Sequence, residues 1–144
     1  MDYRLIAQEE LKALPMLASA SANTALALEE VRQQLRSSKD SGDSRLETCA
    51  EPVFNEEHLF ALQSQIKELQ LRLREMRLRM NRIDRAMDVL SDEERRLLIE
   101  CYVRRGNTPE DVMEIIGVEK SSFYRMRGEA LERFTRAMFG VVLT

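Results

Sequence analysis

An unbroken stripe of apolar side chains most constrains how this chain can fold. Between residues 59 and 90, Leu, Ile or Met recurs at alternating spacings of three and four. Such spacing places side chains on one side of a helix and is typical of a coiled-coil seam. A helix of this length is about 50 Å long and needs a partner to bury the stripe. The seam residues are Leu59, Leu62, Ile66, Leu69, Leu73, Met76, Met80, Ile83, Met87 and Leu90.

A second copy of the chain is one possible partner for this seam. In a parallel homodimer, each g position faces the e position five residues later on the other chain. Arg72 would then meet the partner's Arg77, which is repulsive, whereas Arg79 would meet the partner's Asp84 favourably. This charge pattern is only moderately suited to a parallel dimer.

An upstream segment of the same chain is the other possible partner. A three–four spacing with a polar middle runs through Leu14, Leu17, Ser21, Thr24, Leu28, Val31 and Leu35. This segment is acidic, with Glu9, Glu10, Glu29 and Glu30, whereas residues 59–89 carry a net charge of +3. We therefore favour an antiparallel helical hairpin, which could dimerise further through this arm.

Composition supports an all-α fold with little strand content. Charged residues make up 33% of the 144 residues, and there are only five Gly and three Pro, a profile typical of long helices. Pro15 is expected to kink or restart the first helix because it removes a backbone donor. We predict a helical arm over residues 1–36, a Ser-, Asp- and Gly-containing linker over 37–55, a coiled-coil helix over 56–89 and a helix-turn-helix domain over 90–140.

The last of these regions carries strong helix start and stop signals. Ser91 followed by Glu94 is a capping box, which starts a new helix after the seam. The pair Gly106-Asn107 is expected to end it. Thr108 followed by Pro109 predicts the next helix start. Gly117 predicts its end, and a third helix then runs to Gly140.

The third helix has two distinct sides. Phe123, Ala130, Leu131 and Phe134 fall toward the core, whereas polar and basic residues gather at the N-terminal end. A helix entering the major groove reads base edges with its first turns, and basic residues nearby contact phosphates. The candidate DNA-binding residues are Lys120, Ser121, Ser122, Tyr124, Arg125, Arg127, Arg104 and Arg105.

Residues 90–134, about a third of the chain, resemble the region-4 helix-turn-helix of sigma-70-type factors. The matching positions are Leu90, Ser91, Glu94, Arg95, Leu98, Tyr102, Gly106, Ile116, Gly117, Val118, Ser121, Ser122 and Arg125. Met113 stands where that pattern has Ala, and Glu119 where it has Ser. With its helical arm, the whole chain resembles small phage and prophage transcriptional regulators of the RinA/ArpU type. The resemblance implies a DNA-binding regulator of phage genes, cytoplasmic in a bacterial host, that could also contact RNA polymerase.

Other kinds of chemistry find little support in the sequence. Cys49 and Cys101 are far apart and lack a CxxC or His partner, so we expect no metal site, cofactor or disulfide. No nucleotide-binding or hydrolase motif occurs, which disfavours an enzyme. No apolar run of about 18 residues suggests a membrane span. The Arg residues of the long helix spread around it, which is typical of a solvated face, with nonspecific phosphate binding as the alternative.

Two further functions remain open at this point. A small terminase-like subunit for DNA packaging would also join a helix-turn-helix to a helical oligomerisation region. Such a protein is expected to assemble a ring of eight or more copies, unlike a monomeric or dimeric regulator. A protein-interaction module, such as a sigma-like adaptor, would bind no duplex at all.

Overall fold

A computed structural model describes residues 1–45 and 56–140 of the chain. Over these ranges it contains five α-helices and no strand, so the all-α prediction is confirmed. The helices are α1 (Tyr3–Arg45), α2 (Glu56–Asp88), α3 (Asp92–Leu98), α4 (Pro109–Ile116) and α5 (Lys120–Phe139), with a π-helical turn over Ile99–Val103 after α3. Two compact units are present. We call Met1–Ala18 with Leu78–Thr144 the head unit, and Ser19–Arg77 the arm unit.

The first helix is longer and more continuous than the sequence predicts. It passes through Pro15 without restarting, so the expected restart is wrong. A proline inside a helix costs about 3 kcal/mol, and burial of Leu11 and Leu17 on either side offsets that cost. The linker predicted over 37–55 also starts too early, because α1 continues to Arg45. Extending a formed helix costs at most about 1 kcal/mol per residue. Residues 46–55 lie outside the described part of the chain.

The seam residues of α2 are covered within a single chain. In the arm unit, Leu62 and Leu73 are buried, and the remaining seam side chains are half-buried. In the head unit, Ile83, Met87 and Leu90 are buried, and Met80 is half-buried. A single chain therefore covers the stripe in part, with five of the ten seam side chains buried and five half-buried.

Segments of α1 accompany α2 in both units. In the head unit, the guanidinium of Arg79 donates hydrogen bonds of 2.5 and 3.3 Å to the two carboxylate oxygens of Glu10. In the arm unit, His58 at the start of α2 lines an open polar cleft with Glu30 and Ser38 of α1. These neighbours favour the predicted acid–base complementarity of the two segments. The antiparallel hairpin itself stays a prediction.

A small apolar cluster holds α3, α4 and α5 together in the head unit. Leu97, Val112 and Phe123 are at most 1% exposed and form its centre. Burying a Leu, Val or Phe side chain contributes about 1.5–3 kcal/mol each. Around this centre pack the half-buried residues Cys101, Met113, Ile116, Val118 and Met126. Further along α5, Phe134 is fully buried.

A single carboxylate joins the start of α3 to the middle of α5. Ser91 caps α3, since its hydroxyl accepts a hydrogen bond of 3.2 Å from the Glu94 N–H. In return, Oε1 of Glu94 accepts the Ser91 N–H at 3.1 Å, which completes the predicted capping box. The same oxygen also accepts a hydrogen bond of 2.9 Å from Arg133 of α5.

Candidate nucleic-acid interface

The helix starts that orient α4 and α5 follow from short local signals. The Thr108 hydroxyl accepts a hydrogen bond of 3.2 Å from Asp111 N–H, and the Asp111 carboxylate accepts one of 2.9 Å from Thr108 N–H. The backbone N–H of Thr108 lowers the pKa of Asp111. Gly117 ends α4 at φ +79°, where residues other than Gly are strained. The amides of Gly117 and Val118 both donate to the carbonyl oxygen of Met113.

α5 buries one side and leaves the first two turns of the other side open. Phe123, Ala130, Leu131 and Phe134 are all buried, as the sequence predicts. Lys120, Ser121, Tyr124 and Arg125 are exposed, and Ser122 is half-buried. Glu119, Lys120, Ser121 and Tyr124 line one shallow cleft at the helix start. The structure thus brings four of the candidate residues together on one surface, and we call Lys120, Ser121, Tyr124 and Arg125 the α5 surface.

Both cations of the α5 surface are available to a ligand. Lys120 takes part in no ion pair among the described residues. Arg125 lies 4.0 Å from Glu129, at the outer limit of an ion pair, with both side chains more than 60% exposed. An exposed pair of this kind contributes less than about 1 kcal/mol, so a phosphate can compete for Arg125.

Of the other candidate cations, Arg104 is already engaged within the protein. Its Nη1 lies 3.1 Å from Oε1 of Glu100, a carboxylate that is only 7% exposed. The Asn107 amide donates to the other oxygen of Glu100 at 3.0 Å and also to the Glu100 carbonyl. Arg105 is exposed beside it and has no ion partner in the described ranges. Arg104 thus neutralises a buried acid, and Arg105 is the freer of the two for phosphate.

Glu100 is a structural residue that the sequence reasoning missed. A signal was present, because Glu100 follows Leu97 by three residues and so lies on the apolar side of the helix. The π-helical turn also differs from the regular helix expected up to Gly106. In this turn the Arg104 N–H donates to the carbonyl of Ile99 at 2.9 Å. In this wider turn, the Glu100 carboxylate lies within reach of both Arg104 and Asn107.

Arg127 is the candidate whose surroundings differ most from the prediction. It is half-buried, and its guanidinium lies over the rings of Phe123 and Tyr124 at 5.3 and 4.9 Å from their centroids. Both distances are within the range of cation–π attraction. Arg127 is therefore packed against the protein, whereas Lys120 and Arg125 project from it.

Negative charge limits which side of the head unit a nucleic acid could approach. Glu110, Asp111 and Glu114 are exposed along α4, and Glu119 is exposed at the start of α5. These carboxylates repel phosphates at short range. The exposed side of α4 is therefore acidic, whereas the α5 surface combines Lys120 and Arg125 with the acid Glu119 beside it.

Metal binding, a reactive thiol and a membrane span can each be checked in the described residues. They contain no group of three or more His, Cys, Asp or Glu residues placed to hold a metal ion. Burial raises the pKa of Cys101 to about 11, so its thiol is a poor nucleophile. Cys49 lies outside the described ranges. None of the described helices combines the length and apolarity that crossing a bilayer requires.

Comparisons of the chain with models of protein families, with curated proteins and with solved structures find no match.

Proposed function

We propose that this chain is a sequence-specific DNA-binding regulator of transcription that reads duplex DNA with the start of α5. One observation carries the proposal. Two exposed cations, a hydroxyl and a phenol lie together on the first two turns of a helix whose opposite side is anchored in the core. A rigid helix with its polar N-terminal end exposed is the geometry by which helix-turn-helix proteins enter the major groove.

The residue types on this surface suit both parts of such recognition. Arg125 can donate two parallel hydrogen bonds to a guanine edge, and Ser121 can pair with several bases. Lys120 and the unpaired amides of the first helical turn favour phosphate oxygens. The side chain of Glu119 makes no capping hydrogen bond, so those amides remain open.

The resemblance to RinA/ArpU-type regulators suggests the wider setting. In this proposal the chain acts on phage or prophage genes in the cytoplasm of a bacterial host. Residues 1–89 then serve to contact RNA polymerase or to form a homodimer. The half-buried seam side chains of α2 leave some apolar surface that a homodimer could cover.

The test begins with selection of bound duplexes from a randomised library by the full-length chain. Affinity for the selected duplex is then measured by fluorescence anisotropy at several salt concentrations. Lys120→Ala and Arg125→Ala should each weaken binding. A lost phosphate contact should also reduce the slope of log affinity against log salt by about 0.9. Substituting a base-reading residue should instead relax specificity at one position of the site.

Arg136→Ala is a matched control for these variants. It removes one positive charge from the same helix, about 24 Å from Lys120 at 1.5 Å per residue, where Arg136 pairs with Glu132. It should leave affinity nearly unchanged. Equal losses from Arg136→Ala and Arg125→Ala would mean that net charge, rather than the α5 surface, governs binding.

A protein-interaction module is the second candidate, and the exposed side of α4 favours it. Glu110 and Glu114 flank a surface on which Ile115 is 42% exposed, a combination suited to a basic protein partner. Failure to recover any duplex at low salt, together with capture of a polymerase subunit, would select this function. A solution mass of eight or more copies would favour a terminase-like packaging subunit instead.

A further inference from the structure

Tyr124 contacts two neighbouring side chains of α5, an aromatic ring and a guanidinium. Its ring meets that of Phe123 nearly edge to face, with centroids 5.1 Å apart and planes at 73°. This is a preferred arrangement of aromatic pairs. The guanidinium carbon of Arg127 lies 4.9 Å from the Tyr124 centroid and 5.3 Å from the Phe123 centroid, so one group contacts both rings. An exposed tyrosine on a helix would otherwise sample several rotamers.

Phe123 connects this arrangement to the core. It is fully buried with Leu97 and Val112, so its ring cannot move without disturbing the apolar cluster. Tyr124, by contrast, is 41% exposed and shares a cleft with Lys120 and Ser121. The Tyr124 ring therefore packs against a buried residue while part of its surface stays exposed to solvent.

Arg127 faces inward as well as toward the ring. Its positive charge acts to lower the pKa of Cys101 and of Tyr102, against the burial that raises both. Planar Arg stacks on aromatic faces better than Lys does, so its shape as well as its charge matters here.

We propose that Arg127 is a positioning residue, which holds the Tyr124 hydroxyl where it donates a hydrogen bond to a DNA phosphate beside Lys120 and Arg125. Tyrosine hydroxyls are common phosphate contacts. A side chain ordered before binding loses less conformational entropy when the complex forms. The inference rests on the proposed function and replaces the direct phosphate contact that the sequence suggests for Arg127.

A double-mutant cycle on the selected duplex tests this role. Tyr124→Phe removes only the hydroxyl, and Arg127→Lys keeps the charge but loses the planar group. Each change should weaken binding about fivefold. The double variant should be no weaker than either single one, because both changes remove the same contact.

The salt dependence separates positioning from direct contact. Arg127→Met removes the charge but fills a similar volume, and it should also weaken binding about fivefold with an unchanged salt slope. A slope reduced by about 0.9, or a double variant weakened about 25-fold, would overturn the positioning role. Arg136→Met is the control on the same helix, and thermal unfolding of each variant reports whether the fold is intact.

Failure of the two proposals can be told apart. If the wild-type chain recovers and binds no duplex, the DNA-binding function is wrong and the positioning role falls with it. If the wild-type chain binds and the cycle is additive, DNA binding stands and only the role of Arg127 is wrong.

Discussion

Glu119 occupies a capping position without capping α5, so replacing it should stabilise the head unit. Its backbone, at φ −79° and ψ 161°, matches that of Ser91 (−67°, 163°) and Thr108 (−80°, 162°). The hydroxyls of Ser91 and Thr108 each accept a hydrogen bond of 3.2 Å from the third helical amide. Glu119 accepts no such bond. A shorter acceptor here should therefore bond the Ser122 amide without any backbone change.

The expected magnitudes rank three substitutions at this position. Glu119→Asp keeps the charge and adds the cap, which is typically worth about 1 kcal/mol, or about 3 °C in Tm for a chain of this size. Glu119→Ser adds the same bond but loses a negative charge beside the positive helix end, which costs about 0.5 kcal/mol. Glu119→Ala loses the charge and adds nothing. Stability should decrease in the order Asp, Ser, Glu, Ala.

Urea and thermal unfolding, followed by circular dichroism at low and high salt, measure this order. The gap between the Asp and Ser variants should shrink at high salt, because salt screens the interaction with the helix end. The reasoning would be refuted if Glu119→Asp were no more stable than the wild type. Duplex affinity should follow a different order, since Glu119→Ser and Glu119→Ala both remove a charge that repels phosphate and Glu119→Asp does not.

Three further predictions concern the head unit. Gly117→Ala should lower the free energy of unfolding by about 1–2 kcal/mol, because alanine is strained at the φ of +79° that this residue adopts. An added Cβ meets nothing within 4 Å, so the cost comes from the backbone alone. An unchanged free energy in urea unfolding would contradict this. Asn107→Ala should lower the free energy of unfolding by about 1–3 kcal/mol, because the buried Glu100 carboxylate loses a hydrogen-bond donor. Adding Glu100→Met should restore part of that stability. In a Cys49→Ser variant, the rate of Cys101 alkylation should rise about tenfold per pH unit up to about pH 11, because only the thiolate reacts. A rate that levels off near pH 9 would exclude the raised pKa of Cys101.

The features that the sequence predicted best depend on neighbours within about four residues. The capping box at Ser91, the Thr108 cap with Pro109 and the end of α4 at Gly117 all appear where they were expected. Each is a local balance between one side chain and nearby backbone groups, so spacing alone reveals it. The burial of Phe123 follows in the same way from helical periodicity.

The features that the sequence missed depend on which groups a side chain contacts, even when those groups are only three or four residues away. α1 continues through Pro15 because burial of Leu11 and Leu17 on either side offsets the local cost. Side-chain contacts also decide the outcome in the candidate site. Arg104 and Arg127 resemble free cations in the sequence, but one pairs with a buried acid and the other lies over two rings. Sequence spacing shows on which side of a helix a residue lies, but not which groups its side chain contacts.

The Glu94 oxygen shared by Ser91 and Arg133 has a consequence for how the head unit opens. Any fluctuation that lifts α5 removes Arg133 from the same atom that holds the first turn of α3. The slow-exchanging amides of the two helices should then become deuterated together, as one cooperative group. Backbone amides in two segments that are 39 residues apart in sequence would thus exchange hydrogen in the same opening event.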